Sequence, residues 1–200
     1  MKKPQRDPEG STRTRNQLRI IGGRWRGRKL AFPSLEGLRP TPDRVRETLF
    51  NWLAPDLPGA HCLDLFAGSG ALGLEALSRG AASVTFIDSA GAATRQLQLN
   101  LEVLGCKDAR VIQQPASDWL ATARDDPYDV VFLDPPFGMG LAEPAIALLD
   151  QHQLLSPGGM VYLETGSEEL PPRVPPNWFC HREKQAGRVC YRLYKTEGPG

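Results

Sequence analysis

The sequence predicts a doubly wound α/β fold: a mostly parallel sheet, an antiparallel hairpin at its C-terminal edge and a small basic N-terminal extension. Three observations predict it. From residue 61 onward short apolar runs alternate with segments of helical period, as strand–helix–strand units require. Glycines stand where the first two of those helices should stop, at Gly80 and Gly105. Charge is split along the chain: residues 1–60 carry 13 Lys and Arg against 6 Asp and Glu, a net of +7, and residues 61–200 carry 11 against 17, a net of −6.

Two hundred residues suit one domain with a sizeable core. With 40% hydrophobic and 24% charged residues the chain is neither collagen-like nor wholly disordered. No apolar run approaches the ~18 residues of a membrane span, and Met1-Lys2-Lys3-Pro4 lacks the apolar segment of a secretion signal. Cys62, Cys106, Cys180 and Cys190 show neither a CxxC pair nor metal-ligand spacing. They read as reduced thiols of a cytoplasmic protein, with no metal site and no disulfide expected.

In chain order, residues 1–17 read as a disordered basic tail, 18–60 as an extension containing one helix, and 61–196 as the main domain. Arg19–Leu30 (RIIGGRWRGRKL) mixes apolar, Gly and basic residues in short extended segments. Arg neutralises phosphate and Trp or guanidinium planes stack on unpaired bases, so Arg19, Arg24, Trp25, Arg26, Arg28 and Lys29 are candidate RNA contacts. Trp25 serves equally well as a tether of the extension to the domain. Thr41-Pro42-Asp43 has the form of a helix start, with Thr41 as hydroxyl N-cap. Val45, Leu49, Trp52 and Leu53 form the apolar face of that helix, and Arg44 and Arg46 lie off it. With Arg39, these two complete the candidate RNA-binding set.

Strands are predicted at 61–66, 84–88, 110–113, 130–134 and 160–164, with helices at 71–79, 90–104, 116–124 and 141–152. Two edge strands, 178–183 and 189–194, read as a hairpin across Gln185-Ala186-Gly187, which could bring Cys180 and Cys190 opposite each other.

Ligands of such sheets bind at the carboxyl ends of the strands. Asp64-Leu65-Phe66-Ala67-Gly68-Ser69-Gly70-Ala71-Leu72-Gly73 contains a literal GxGxxG between strand and helix, and Asp88 ends the next strand. That is the Rossmann-like dinucleotide fingerprint, with Asp88 on the ribose hydroxyls. Asp64 bears on which nucleotide: a carboxylate is awkward beside a pyrophosphate and welcome beside a cation, which favours S-adenosylmethionine over NAD. Val130–Phe137 (VVFLDPPF) carries the second signal. Pro135 and Pro136 stiffen the turn and hold Asp134 near extended geometry. Asp134 and the Pro135 carbonyl can then accept both N–H bonds of a planar aromatic amine while Phe137 stacks on its ring. Gln114–Asp118 follows the third strand, where Ala116 and Ser117 can reach an adenine ring. His61, His152 and His181 belong to no recognisable motif.

With these residues in hand the chain resembles the bacterial RsmD-type 16S rRNA (guanine(966)-N(2))-methyltransferases, class I S-adenosylmethionine-dependent enzymes. The matching stretches are Arg19–Leu30, Leu38–Leu53 (LRPTPDRVRETLFNWL), Cys62–Arg79 (CLDLFAGSGALGLEALSR), Asp134–Phe137 and His181–Tyr194 (HREKQAGRVCYRLY). The resemblance implies S-adenosylmethionine held by Asp64, Phe66, Ala67, Gly68, Ser69, Gly70, Asp88, Ser89, Ala116 and Ser117. It implies that Asp134, Pro135, Pro136 and Phe137 hold a flipped guanine of the small ribosomal subunit's 16S rRNA, whose N2 attacks the methyl group in line. A monomer is expected. The chain departs from the family in having Ala90 where a second acid often follows, and Pro115 where the adenine pocket commonly has Asp or Asn. Competing readings are an adenine-N6 methyltransferase acting on nucleic acid, an NAD-dependent oxidoreductase, and a non-catalytic ribosome assembly factor.

Overall fold

The computed structural model describes residues 16–35 and 40–197. All but the last two residues of the predicted tail, and Arg39, lie outside the described residues.

The chain opens with an antiparallel pair, β1 (Asn16–Arg19) and β2 (Lys29–Phe32), joined through a 3-10 turn at Gly23–Trp25. Helix α1 (Asp43–Trp52) follows. Then come β3 (His61–Asp64), α2 (Ala71–Ser78), β4 (Ser83–Asp88), α3 (Gly91–Leu104), β5 (Ala109–Gln113), α4 (Ala116–Thr122), β6 (Tyr128–Leu133) and α5 (Ala142–Gln151). The chain finishes with β7 (Leu155–Gly166), β8 (Trp178–Ala186) and β9 (Val189–Thr196). Seven strands form one sheet in the order β5-β4-β3-β6-β7-β9-β8, parallel through β7 and antiparallel at the last two. The predicted doubly wound sheet with an antiparallel C-terminal hairpin is therefore present.

Period-two alternation sorts the strand residues onto two faces. Cys62, Val84, Phe86, Val130, Phe132 and Tyr162 join the core under α1, α2, α3 and the β1–β2 pair. Leu63, Ile87, Val131, Leu133, Val161 and Leu163 join the core under α4 and α5. Leu18, Ile20 and Leu30 of the N-terminal pair belong to the first of these cores.

Three local expectations are corrected. Thr41 does not cap α1: Pro42 holds the cap position, no side chain caps the helix, and the Thr41 hydroxyl donates to Asp134 instead. The C-terminal hairpin runs longer than predicted, with Gln185 and Ala186 still in strand and the turn at Gly187-Arg188, where Gly187 takes a φ of 59°. Cys180 pairs with Tyr194 and Cys190 with Gln185, so the two thiols do not face each other, and all four cysteines are free.

Candidate active site and its basic arm

Strand order reverses between β3 and β6, neighbours in the sheet whose following helices pack on opposite faces. The crevice at their carboxyl ends is where ligands of open α/β sheets sit. Asp64 ends β3, is 2% exposed and accepts the Gly73 N–H at 3.0 Å. Burial, opposed by that hydrogen bond and reinforced by the charge of Asp88, pushes its carboxyl up to about 7. Gly70 starts α2 in the left-handed region at φ 76°, and a Cβ on Gly73 would lie 2.2 Å from the Phe86 ring. Only glycine lets the helix start that tightly and approach β4 that closely. Phe66 and Gly68 are half-buried, Ala67 and Ser69 buried.

Asp88, at the end of β4, closes the loop. One of its oxygens accepts the Gly68 N–H and the other the Ala90 N–H, both at 2.7 Å. A carboxylate offers about four acceptor positions, so two lone pairs remain for a ligand hydroxyl. Ser89 beside it is exposed. The Gln114 N–H bonds the Asp88 carbonyl at 3.0 Å and draws Pro115, Ala116 and Ser117 to the same rim.

Asp134 stands one residue past β6, half-buried, with Pro135 buried behind it and Phe137 46% exposed at the mouth. The turn is held further on by the Gly138 N–H, which donates to Glu169 Oε1 at 2.8 Å. The Thr41 hydroxyl donates to Asp134 Oδ2 at 3.3 Å. Glu164 of β7 is 3% exposed and accepts the Tyr162 hydroxyl at 2.6 Å. Burial first, then the charges of Glu164 and Asp64, hold the Asp134 carboxyl well above the ordinary carboxylate range, against the Thr41 hydrogen bond. Glu164 is raised for the same leading reason. Among the described residues no salt bridge reaches Asp64, Asp88, Asp134 or Glu164. Among the described residues the crevice is thus acidic and without a paired cation, which disfavours a pyrophosphate and suits a ligand that brings positive charge.

The basic residues lie on the N-terminal pair. Arg24 stacks over the Trp25 ring at 4.2 Å, while the backbone N–H of the half-buried Trp25 donates to Ser78 Oγ at 3.0 Å. Arg26, Arg28 and Lys29 are exposed, Arg28 reaching the Val103 carbonyl at 3.3 Å. Arg19 pairs with Asp43 at 3.2 Å and Arg44 is exposed. Arg46 is corrected. It is 1% exposed, and its donors go to the Thr41 and Arg19 carbonyls, Asp43 and Glu75. A guanidinium so enclosed holds the protein together and cannot reach a nucleic acid.

A family model described as Conserved hypothetical protein 95 matches residues 18–195. The chain belongs to that family. Ribosomal RNA small subunit methyltransferase D of Escherichia coli K12 is 52% identical to it over 200 residues, covering 100% of this chain and 98% of that protein. The protein of the same name from Haemophilus influenzae is 50% identical over 185 residues, 91% of this chain and 95% of its own. The solved structure of yhhF from Escherichia coli superposes with a TM-score of 0.86 at 52% identity, over 91% of this chain and 99% of that one.

Sequence reasoning about this family member brought Asp64, the glycine loop, Asp88, Asp134 and Phe137 to one crevice and passed over Glu164, Tyr162 and Thr41. A signal for Glu164 was present: Met160, Tyr162 and Glu164 share one strand parity in an otherwise apolar run, so the carboxylate had to point into the layer that Tyr162 enters. Thr41 carried the opposite signal, since its position before Pro42-Asp43 fits an N-cap well.

Proposed function

We propose that the protein transfers a methyl group from S-adenosylmethionine to the exocyclic N2 of one guanine in the 16S rRNA of the small ribosomal subunit, position 966 by resemblance to its family. The observation that carries this reading is the rigid Asp134-Pro135-Pro136-Phe137 turn opening into an acidic crevice whose carboxyls pair with no cation among the described residues. The names of its 52% and 50% identical relatives support rRNA as the substrate class.

The residues present fit S-adenosylmethionine: Asp64 offers a buried, uncompensated carboxylate, Asp88 keeps free lone pairs, and Phe66 to Gly70 line the turn between them. When bound, it supplies an electrophilic methyl group whose carbon–sulfur bond breaks toward sulfur. Asp134 and the Pro135 carbonyl accept the two N–H bonds of the guanine amine, which turns its nitrogen lone pair out of the ring and toward the methyl carbon. Phe137, exposed at the mouth, stacks on the extruded base. Asp134 takes the proton the nitrogen sheds. Flipping the base costs a few kcal/mol, offset by phosphate and stacking contacts from Arg19, Arg24, Trp25, Arg26, Arg28, Lys29, Arg39 and Arg44.

The test is to incubate the protein and labelled S-adenosylmethionine with small subunits from cells lacking it, digest the RNA and identify the labelled nucleoside by mass spectrometry. N2-methylguanosine at one site is expected; N6-methyladenosine, or no label, overturns the reading. A second expectation concerns the arm. Replacing Arg24, Arg26 and Arg28 together with Ala should weaken RNA binding across sequences and lower the slope of log affinity against log salt by about 0.7 for each phosphate no longer neutralised. A salt slope equal to that of the wild type, measured by filter binding, would place the RNA elsewhere.

A further inference from the structure

We propose that Thr41 and Glu164 are positioning residues for Asp134, with Thr41 orienting its carboxyl and favouring the charged form that accepts the amine proton, and Glu164 opposing that charge. The proposal rests on the reading of Asp134 above as the amine acceptor.

Leu133 and Leu163 are paired across β6 and β7, so Asp134 and Glu164, one residue further along, stand side by side at the carboxyl ends of adjacent parallel strands. Two hydroxyls serve the pair, and that of Thr41 lies within reach of both carboxyls. Thr41 donates to Asp134 Oδ2 at 3.3 Å, and Tyr162 donates to Glu164 Oε1 at 2.6 Å. Thr41, Tyr162 and Glu164 are all buried.

The groups facing this pair from the surrounding elements are Asp64 of β3 with Asp88 of β4 behind it, Tyr162 of β7, and Tyr191 of β9 beyond Tyr162. None of them is a cation. Two neighbouring buried carboxyls oppose each other's ionisation, and the hydrogen-bond donors around them bias which one carries charge. Thr41 favours charge on both carboxyls and donates to Asp134, which has no other hydroxyl among the described residues, while Glu164 also has Tyr162. Asp134 can take a proton from the amine only when it is itself charged.

Thr41 is placed for this task by the N-terminal extension. Arg46 Nε donates to its carbonyl at 3.1 Å, and the same guanidinium reaches the Arg19 carbonyl at 2.9 Å and Glu75 at 3.5 Å. The hydroxyl that biases the catalytic carboxylate therefore hangs from the network that seats the basic arm.

Thr41→Val keeps the shape and removes the donor, so the Asp134 carboxyl rises and the acid limb of the kcat–pH profile should move to higher pH by about one unit. At a pH on that limb, kcat should fall about tenfold with KM for RNA and for S-adenosylmethionine unchanged. Thr41→Ser restores the donor and should bring the limb back. Glu164→Gln removes the opposing charge and should move the limb to lower pH. Loss of fold cannot produce opposite shifts from two variants, and calorimetric binding of S-adenosylhomocysteine checks each protein. Acid limbs that coincide with the wild type, or that move in the same direction, overturn the proposal. If Thr41→Val is too unstable to assay, Glu164→Gln decides alone, and a limb that fails to move to lower pH is fatal. Inactive Asp134→Ala together with unmoved limbs defeats only this inference; active Asp134→Ala defeats the assignment beneath it.

Discussion

Asp134→Ala is expected to lower kcat by about 10²–10⁴-fold, the span attributed to one positioned proton-transfer group. The loss has two parts. One is the proton acceptor; the other is one of the two hydrogen-bond acceptors that fix the amine, so the nitrogen lone pair is no longer aimed. Binding of S-adenosylhomocysteine should change little, because Asp64, Gly68, Gly70 and Asp88 belong to β3, β4 and the loop between them, and their hydrogen bonds run to Gly73, Gly68 and Ala90 rather than to Asp134. Asp134→Asn separates the parts: its amide oxygen still accepts an N–H bond but cannot hold the proton, so it should fall between alanine and wild type. Single-turnover rates on small subunits, set beside calorimetric titration of S-adenosylhomocysteine, measure both. Rates within a fewfold of wild type for the alanine variant would remove Asp134 from the chemistry.

The parts legible in the sequence were those whose signal is local. Apolar runs between helical segments placed the sheet, and glycine at positions 70 and 73 marked a turn that the structure shows to be left-handed and closely packed. Asp64 and Asp134 stood out because each ends a buried strand, where a carboxylate has no local structural use. What stayed hidden depends on pairs distant in sequence. Thr41 is 93 residues from the Asp134 it bonds, and Glu75 is 54 from Ile21 and 29 from Arg46. Arg46 shows how a correct pattern misleads. Lying off the apolar stripe of α1, it reads as a surface charge, yet it is enclosed by the Arg19 carbonyl of β1, Glu75 of α2, and Thr41 and Asp43 at the start of its own helix. An amphipathic helix reports which residues avoid the core it packs on; it says nothing of a second layer laid over its polar edge.

That second layer leads to the largest stability effect expected. Glu75 lies in the middle of α2, a helix buried along its whole length, and is 0% exposed. Its two oxygens accept the Ile21 N–H at 2.9 Å, the Gly22 N–H at 2.7 Å, Arg79 Nε at 2.7 Å and Arg46 Nη1 at 3.5 Å. Every acceptor position is used, so the buried charge is compensated. Glu75→Ala leaves two backbone donors, Arg79 Nε and part of the buried Arg46 guanidinium without partners, and removals of that kind cost about 3–5 kcal/mol. Asp43 and two carbonyls still hold Arg46, which places the expected loss near the lower end, at about 3 kcal/mol, a large share of a typical domain's stability. Glu75→Gln should be nearly as damaging, since an amide NH₂ would face at least one of the donors now bound to carboxylate. The exposed Arg173–Glu143 pair supplies the control: solvent already screens it, so breaking it should cost far less. Urea midpoints for the three variants measure the difference. Because the hydrogen bonds removed are those that seat Ile21 and Gly22 on α2, RNA affinity should fall in Glu75→Ala at temperatures where S-adenosylhomocysteine still binds. Equal midpoints for Glu75→Ala and Glu143→Ala would show that the buried network contributes no more than a surface pair, and that the arm is seated without Glu75, by Leu18, Ile20, Leu30 and the Ser78 hydrogen bonds.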